Sequence, residues 1–336
     1  MSSVPPFPVS PSLPRDFPVW QHVAAALRVA QPVLLLCVLS SHGSSPGRQG
    51  FKMSVTAEGM AGSIGGGIME HKFVELARAR LREGSQEVLI RPQIHRREAP
   101  EDRSGMICSG EQVLLLYPVA PAELSTVEAI LCALHEPQAR LLQIAPSGLR
   151  LQQAAPATPF YSYQSGPAWQ YQERLGFRDH LTIIGGGHVA LALSRVAALL
   201  DFEITVFDDR AGLNTHQHNP YAHHKPTVPY ETLAQEVPEG PHQYVVIMTF
   251  GFRSDEVALR QLLQHRVAYL GLMGSAAKIK ELRNSLLTSG YSEADLGHVR
   301  APIGLPIHSR TPEEIAISVA AELIQVRNAP LATGAA

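Results

Sequence analysis

Apolar and polar positions change rhythm about halfway along the chain. In the first half, "VLLLCVL" (33–39) is a continuous apolar run bounded by Pro32 and Ser40, as a buried strand reads. "FKMSV" (51–55) alternates with period two, which predicts a half-buried strand. A turn signal at Glu58-Gly59 joins residues 51–56 to 60–64 as a hairpin. After Gly67, apolar residues at Ile68, Met69, Phe73, Leu76, Ala77 and Leu81 keep helical spacing, so 68–83 is predicted helical and Gly84 stops it. Strands are predicted at 85–90 and 112–118, and a helix at 124–135. Residues 154–178 have little periodicity and several Pro and Gly, and are expected to be an interdomain linker.

From residue 181 short apolar strands alternate with helical stretches. The strands are 181–184, 203–207, 244–248 and 267–272; the helices are 188–200, 254–264, 275–289 and 311–327. Such alternation predicts βαβ units and a parallel sheet. The last helix opens with a capping box, Thr311 and Glu314 with Pro312 between them. The expected class is α/β: a mixed α+β N-terminal domain (19–153), the linker, and a Rossmann-like doubly wound parallel sheet (179–328). A flexible Pro-rich leader (1–18) and a tail (329–336) flank them.

Composition narrows the function classes. The 336 residues carry a net charge of −2, with 45% hydrophobic and 17% charged, so nothing marks a nucleic-acid-binding surface. The longest apolar run is far short of the roughly 20 residues a membrane helix needs. Three irregularly spaced cysteines (Cys37, Cys108, Cys132) imply no disulfide framework, and a cytoplasmic setting is expected.

Candidate chemistry concentrates at two glycine runs. Gly185, Gly187 and Ala190, in "IIGGGHVALAL" (183–193), follow a strand and open a helix, the context of a dinucleotide-binding turn. The helix start, Gly185, Gly186, Gly187 and His188, offers backbone N–H groups to an anion. Asp208 follows Gly185 by 23 residues, about where an acidic side chain reads a ribose hydroxyl; the other reading of Asp208 and Asp209 is a solvated strand end. Gly274, Ser275 and Lys278 form a second candidate anion seat, and the Ser275/Lys278 spacing is otherwise accidental. His216, His218, His223 and His224 cluster in a loop as metal ligands or as ordinary surface histidines. No segment announces the proton-moving residue that hydride transfer requires.

In the first half "GSSPGRQG" (43–50) brings Ser44, Ser45 and Arg48, close after His42, while "GSIGGGIMEHK" (62–72) brings Gly65, Gly66 and Gly67. Together they make a cradle suited to a polyanion. Those two motifs, Glu70, "ICSG" around Cys108, "VFDDR", "YLGLMGS", "VRAPIGL" (299–305) and "TPEEIAISVAAELI" (311–324) resemble the XdhC/CoxI family. Its members are accessory factors of xanthine dehydrogenase and related molybdenum hydroxylases.

The resemblance implies a protein that binds molybdenum cofactor and delivers it to an apo molybdenum hydroxylase, without turnover of its own. It implies a homodimer, and a cysteine desulfurase as a further partner. Gly185–His188 and Gly65–Gly67 would hold anionic groups, Arg48 and Lys278 would supply charge, and Cys108 would touch metal or sulfur or else be a small buried residue. The chain departs from the family where relatives often carry Cys (Ile68), Thr-His-Asp (Thr249-Phe250-Gly251) and Gly-Ala (His308-Ser309). An NAD(P)-dependent oxidoreductase, with Asp208 reading the ribose, is the alternative. A third reading is a protein partner of the same system that has lost cofactor binding.

Overall fold

The computed structural model describes residues 11–94, 110–135, 140–155 and 158–329. The chain divides into two compact units, one of residues 13–176 and one built from Phe177 onward. Among the described residues, no helix is long and apolar enough to cross a membrane.

The 13–176 unit holds helices α1 (Phe17–Arg28), α2 (Gly67–Arg82) and α3 (Leu124–Ala133) and two antiparallel sheets. The first sheet comprises β1 (Leu34–Gly43), β2 (Lys52–Val55), β3 (Met60–Gly62), β4 (Leu89–Ile94) and β5 (Gly110–Pro118), in the order β3-β2-β1-β5-β4. Both faces of β1 are covered, which explains its unbroken apolar run. Leu35, Cys37 and Leu39 pack with Trp20 and Val23 of α1 and Ile130 of α3. Leu34, Leu36 and Val38 pack with Met69, Phe73 and Ala77 of α2. The second sheet, ordered β7-β6-β9-β8, comprises β6 (Arg140–Ala145), β7 (Gly148–Gln153), β8 (Tyr161–Gln164) and β9 (Gln170–Arg174).

Several expectations are corrected here. The stretch 154–178 is not a bare linker: it contains β8 and β9, and β9 pairs with β6. Trp169, Tyr171, Glu173 and Leu175 alternate inward, but the charge on Glu173 masks the period-two pattern. Helix α1 starts at Phe17, and Asp16, inside the expected leader, bonds Lys52. The strand expected at 85–90 runs from 89 to 94, with Pro92 tolerated because β4 is an edge strand. β2 is buried on both faces, Lys52 included.

Lys52 is the centre of a buried charge cluster. Its Nζ lies 2.6 Å from Asp16 Oδ2, 2.5 Å from Glu173 Oε1 and 3.0 Å from the Gly50 carbonyl. The Tyr171 hydroxyl donates to Glu173 Oε2 at 2.6 Å.

The unit from Phe177 onward is a doubly wound α/β fold. β10 (Asp179–Ile184), β11 (Phe202–Phe207), β12 (Gly240–Ile247), β13 (Val267–Leu272) and β14 (Val299–Arg300) are all parallel, in the order β11-β10-β12-β13-β14. Helices α4 (His188–Ala198) and α7 (Pro312–Arg327) share one core cluster, and α5 (Phe252–Leu262) and α6 (Ala276–Thr288) share another. The capping box of α7 forms: Glu314 N–H donates to Thr311 Oγ1 at 3.2 Å and Thr311 N–H to Glu314 Oε2 at 3.1 Å. The chain leaves β10 for β11 on one side and returns to β12 on the other. The connections that leave the carboxyl ends of β10 and β12 therefore run apart, and an open parallel sheet binds its ligands at such a switch point.

Candidate functional site

The glycine turn after β10 occupies that switch point. Gly185 has φ +103°, and a Cβ there would stand 2.6 Å from the Met248 carbonyl oxygen, so only glycine fits beside the end of β12. Gly186 is closed in by the His216 side chain, and its N–H donates to Asp208 Oδ2 at 2.7 Å. Gly187, the N-cap of α4, faces open space: an added Cβ meets nothing within 4 Å, and no side chain caps the helix. His188 is exposed in the first turn of α4. The opening over Gly187 and the first turn of α4 is thus lined by backbone N–H groups and a positive dipole end, which favour an anion.

Asp208 is fully buried and fully engaged. Besides Gly186 N–H it accepts Arg210 N–H at 3.0 Å, Arg210 Nε at 2.8 Å and Arg210 Nη2 at 2.8 Å. Burial alone would raise its pKa, but Arg210 and the two backbone N–H groups outweigh that and hold it below the usual range. The carboxylate that spacing marks as a ribose reader instead ties the glycine turn to Arg210. Asp209 is the exposed carboxylate there. Arg210 lies over the ring of Phe250, its Cζ 4.8 Å from the centroid.

At the end of β13, Ser275 caps α6 by accepting Lys278 N–H at 3.3 Å, and Gly274 packs against the Lys278 and Ile279 side chains. Lys278 is not a free charge for a ligand. Its Nζ bonds Asp255, a buried carboxylate that also accepts Thr249 N–H at 3.0 Å and Thr249 Oγ1–H at 2.6 Å.

The other glycine run lies in the 13–176 unit. Gly65, Gly66 and Gly67 all have positive φ, and a Cβ on Gly65 would stand 2.4 Å from Gly47 N. The run therefore packs backbone to backbone against "GSSPGRQG". Its N–H cradle already holds an anion, the chain's own Glu70: Oε2 accepts Ser63 Oγ–H at 2.6 Å, Ile64 N–H at 3.0 Å and Gly66 N–H at 3.0 Å. Ser45 is buried and donates to the Gly47 carbonyl at 2.8 Å; Ser44 is exposed, and Arg48 donates to the Gly43 carbonyl at 3.0 Å. Ile68 is exposed in the first turn of α2. Cys108 lies outside the described residues. The two groups of predicted site residues belong to different units: Gly185–His188, Asp208 and Gly274–Lys278 to one, Ser44–Arg48 and Gly65–Gly67 to the other.

The loop histidines diverge. His216 is buried with Nε2 2.8 Å from the Val206 carbonyl oxygen, His218 faces the Asn214 carbonyl, His223 accepts Ile204 N–H and His224 meets Glu203. Among the described residues, no group of three or more His, Cys, Asp or Glu is placed to hold a metal ion. Cys37 is buried, and burial pushes its thiol far above the ordinary range; Cys132 is exposed on α3. Sequence reasoning missed Arg210, Asp255 and the Lys52 cluster. The signal for Arg210 was its place in "FDDR", two residues after an acid at a strand end.

Residues 181–323 match the XdhC Rossmann domain, and residues 26–91 match the XdhC and CoxI family, together more than half of the chain. An uncharacterized protein of Escherichia coli, YqeB, is 28% identical over 299 residues, covering 88% of this chain. A Bacillus subtilis protein whose name makes it a probable xanthine dehydrogenase component is 32% identical over 155 residues, 46% of this chain. The chain spans 44% of the first and 45% of the second, under half the length of each. A crystal structure from Bacillus halodurans, described as a xanthine dehydrogenase, superposes with a TM-score of 0.66 over 94% of this chain and 98% of that one. At 22% identity it speaks to the fold alone. Both glycine runs fall within the matched segments, and the chain belongs to the XdhC and CoxI family.

Proposed function

We propose that this protein is an accessory factor that binds molybdenum cofactor and delivers it to a molybdenum hydroxylase of the xanthine dehydrogenase type. Family membership and the name of the Bacillus subtilis relative support the setting. The observation that carries the reading is the glycine-lined opening over Gly187 and the first turn of α4, at the switch point between β10 and β12.

The cargo is a pterin bearing a phosphate and a dithiolene-bound molybdenum. Its phosphate suits the opening, where backbone N–H groups are available and no Cβ intrudes. No cysteine is among the described residues around that opening, so these residues hold the cargo by its pterin and phosphate. Two cations at the crevice are paired, Arg210 with Asp208 and Lys278 with Asp255, while Arg253 is exposed in the first turn of α5. Arg210 and Lys278 are thus not free to pair with an anionic cargo, which is held at the turn by backbone dipoles and shape. The oxidoreductase alternative assigns the ribose to Asp208, which is fully engaged by Gly186 and Arg210.

The test is anaerobic purification from cells that make the cofactor, with molybdenum and oxidised pterin quantified per chain and NADH and NADPH titrated alongside. Pterin near one per chain with no nicotinamide binding is expected. Nicotinamide binding without pterin favours the oxidoreductase, and neither ligand leaves a protein partner.

A further inference from the structure

Phe250 is an exposed aromatic ring on a rigid mount. It lies three residues past the end of β12, beside the glycine turn, and 69% of its surface is accessible. An exposed ring of this size normally swings freely, yet each neighbour of Phe250 is fixed. Thr249, before it, is buried and bonded twice to Asp255. Gly251, after it, is the N-cap of α5. Arg210 covers the ring with its Cζ 4.8 Å from the centroid, and the guanidinium is clamped by both oxygens of Asp208 at 2.8 Å each. Asp208 is in turn anchored on Gly186 N–H. One chain of contacts therefore runs from the glycine turn through Asp208 and Arg210 to Phe250, across the ends of three neighbouring strands.

We propose that Phe250 is a stacking platform for the planar heterocycle of the bound ligand, with Arg210 and Asp208 as positioning residues. The ligand class is a fused bicyclic heterocycle carrying an anionic group: the ring stacks on Phe250 and the anion lies at the glycine turn. This rests on the reading of the crevice as a pterin-phosphate site. Stacking on aromatic side chains is set by π-surface and needs no hydrogen-bonding code. It adds affinity to that of the backbone dipoles, where Arg210 and Lys278 are already paired.

The experiment titrates the full chain with pterin-6-carboxylate, read by the probe's own fluorescence. Phe250→Leu keeps apolar bulk and removes the π-face, and it should weaken binding about 5- to 20-fold. Phe250→Trp should bind within about twofold of wild type, or more tightly. Arg210→Gln leaves the ring unsupported and should weaken binding about threefold. Because Phe250 is exposed, F250L should leave the thermal midpoint unchanged, so weaker binding is not misfolding. Equal binding by wild type and F250L overturns the platform alone, and so does F250W binding as weakly as F250L. No binding by the wild-type chain overturns the crevice reading and the platform with it.

Discussion

Replacing Glu173 by Gln removes one of the two carboxylates that hold Lys52 inside the 13–176 unit while preserving shape. Lys52 and Glu173 are fully or almost fully buried, and Asp16 keeps only a small exposed edge. Burial opposes the charge on Lys52, but Asp16 and Glu173 outweigh it and hold the ammonium well above its ordinary pKa. Burial raises the pKa of Glu173, and Lys52 pulls it back. Removing one partner of a buried pair costs about 3–5 kcal/mol, because the other charge stays without compensation. Asp16 remains in E173Q, so the lower end, about 3 kcal/mol, is expected. With a urea slope of about 2 kcal/mol/M the midpoint falls by about 1.5 M.

The assay is urea unfolding followed by tryptophan fluorescence. Both tryptophans, Trp20 and Trp169, are buried in this unit, so the signal reports on it and on no other part of the chain. Lys52→Met is the companion variant, expected to lose about 3–5 kcal/mol at neutral pH. Without the ammonium, Glu173 is raised further in the folded state than in the unfolded one. The folded state then binds the extra proton, so K52M regains stability relative to wild type as pH falls from 7 toward 5. A loss below about 0.5 kcal/mol in E173Q, or a K52M deficit that does not shrink in acid, refutes the reasoning.

Other substitutions probe the two glycine runs and the loop before α7. Asp208→Asn should lower calorimetric stability by about 2–3 kcal/mol, since it breaks the link between Gly186 and Arg210, whereas Asp209→Asn should change it by under about 0.5 kcal/mol. Equal effects would mean that Asp208 is not the anchor. Gly65→Ala drives a Cβ into Gly47 and should cost about 3 kcal/mol or more. Gly67→Ala meets open space and should cost about 1 kcal/mol for its φ of +70° alone, both read by tryptophan fluorescence in urea. His308 has φ +59°, a conformation that favours glycine, so His308→Gly should stabilise by about 0.5–1 kcal/mol; an unchanged or lower calorimetric midpoint contradicts this.

The doubly wound unit was legible because a parallel sheet buries both faces of its strands, which then read as unbroken apolar runs. Lost were the polar starts, β10 at Asp179-His180 and β12 at Gly240, where nothing apolar marks a strand, and the two-residue edge strand β14 (Val299–Arg300), too short to show a pattern. In the other unit the hairpin β6–β7 and strands β8–β9 escaped notice. Their inward positions include Glu173, and a buried charge is indistinguishable by letter from a solvated one. Helix α1 was hidden by the prolines before and within its first turn. At the candidate site, spacing located Asp208 and Lys278 but not their partners. Arg210 folds back over two residues and Asp255 comes from the preceding βα unit, so both cations are neutralised by contacts that only the folded chain creates. The cradle at Gly65–Gly67 was recognisable as a nest for an anion. That Glu70 supplies the anion follows from the helix that places it over the nest.

Hydrogen exchange of the full chain, with and without saturating pterin-6-carboxylate, tests the central claim most directly. The account predicts slowed exchange at the amides of Gly187, His188 and Val189, where α4 begins, and at Phe250-Gly251, with Gly65–Gly67 unchanged because Glu70 already fills that nest. Protection confined to Gly65–Gly67, or absent from residues 187–189 while the probe is bound, would contradict it.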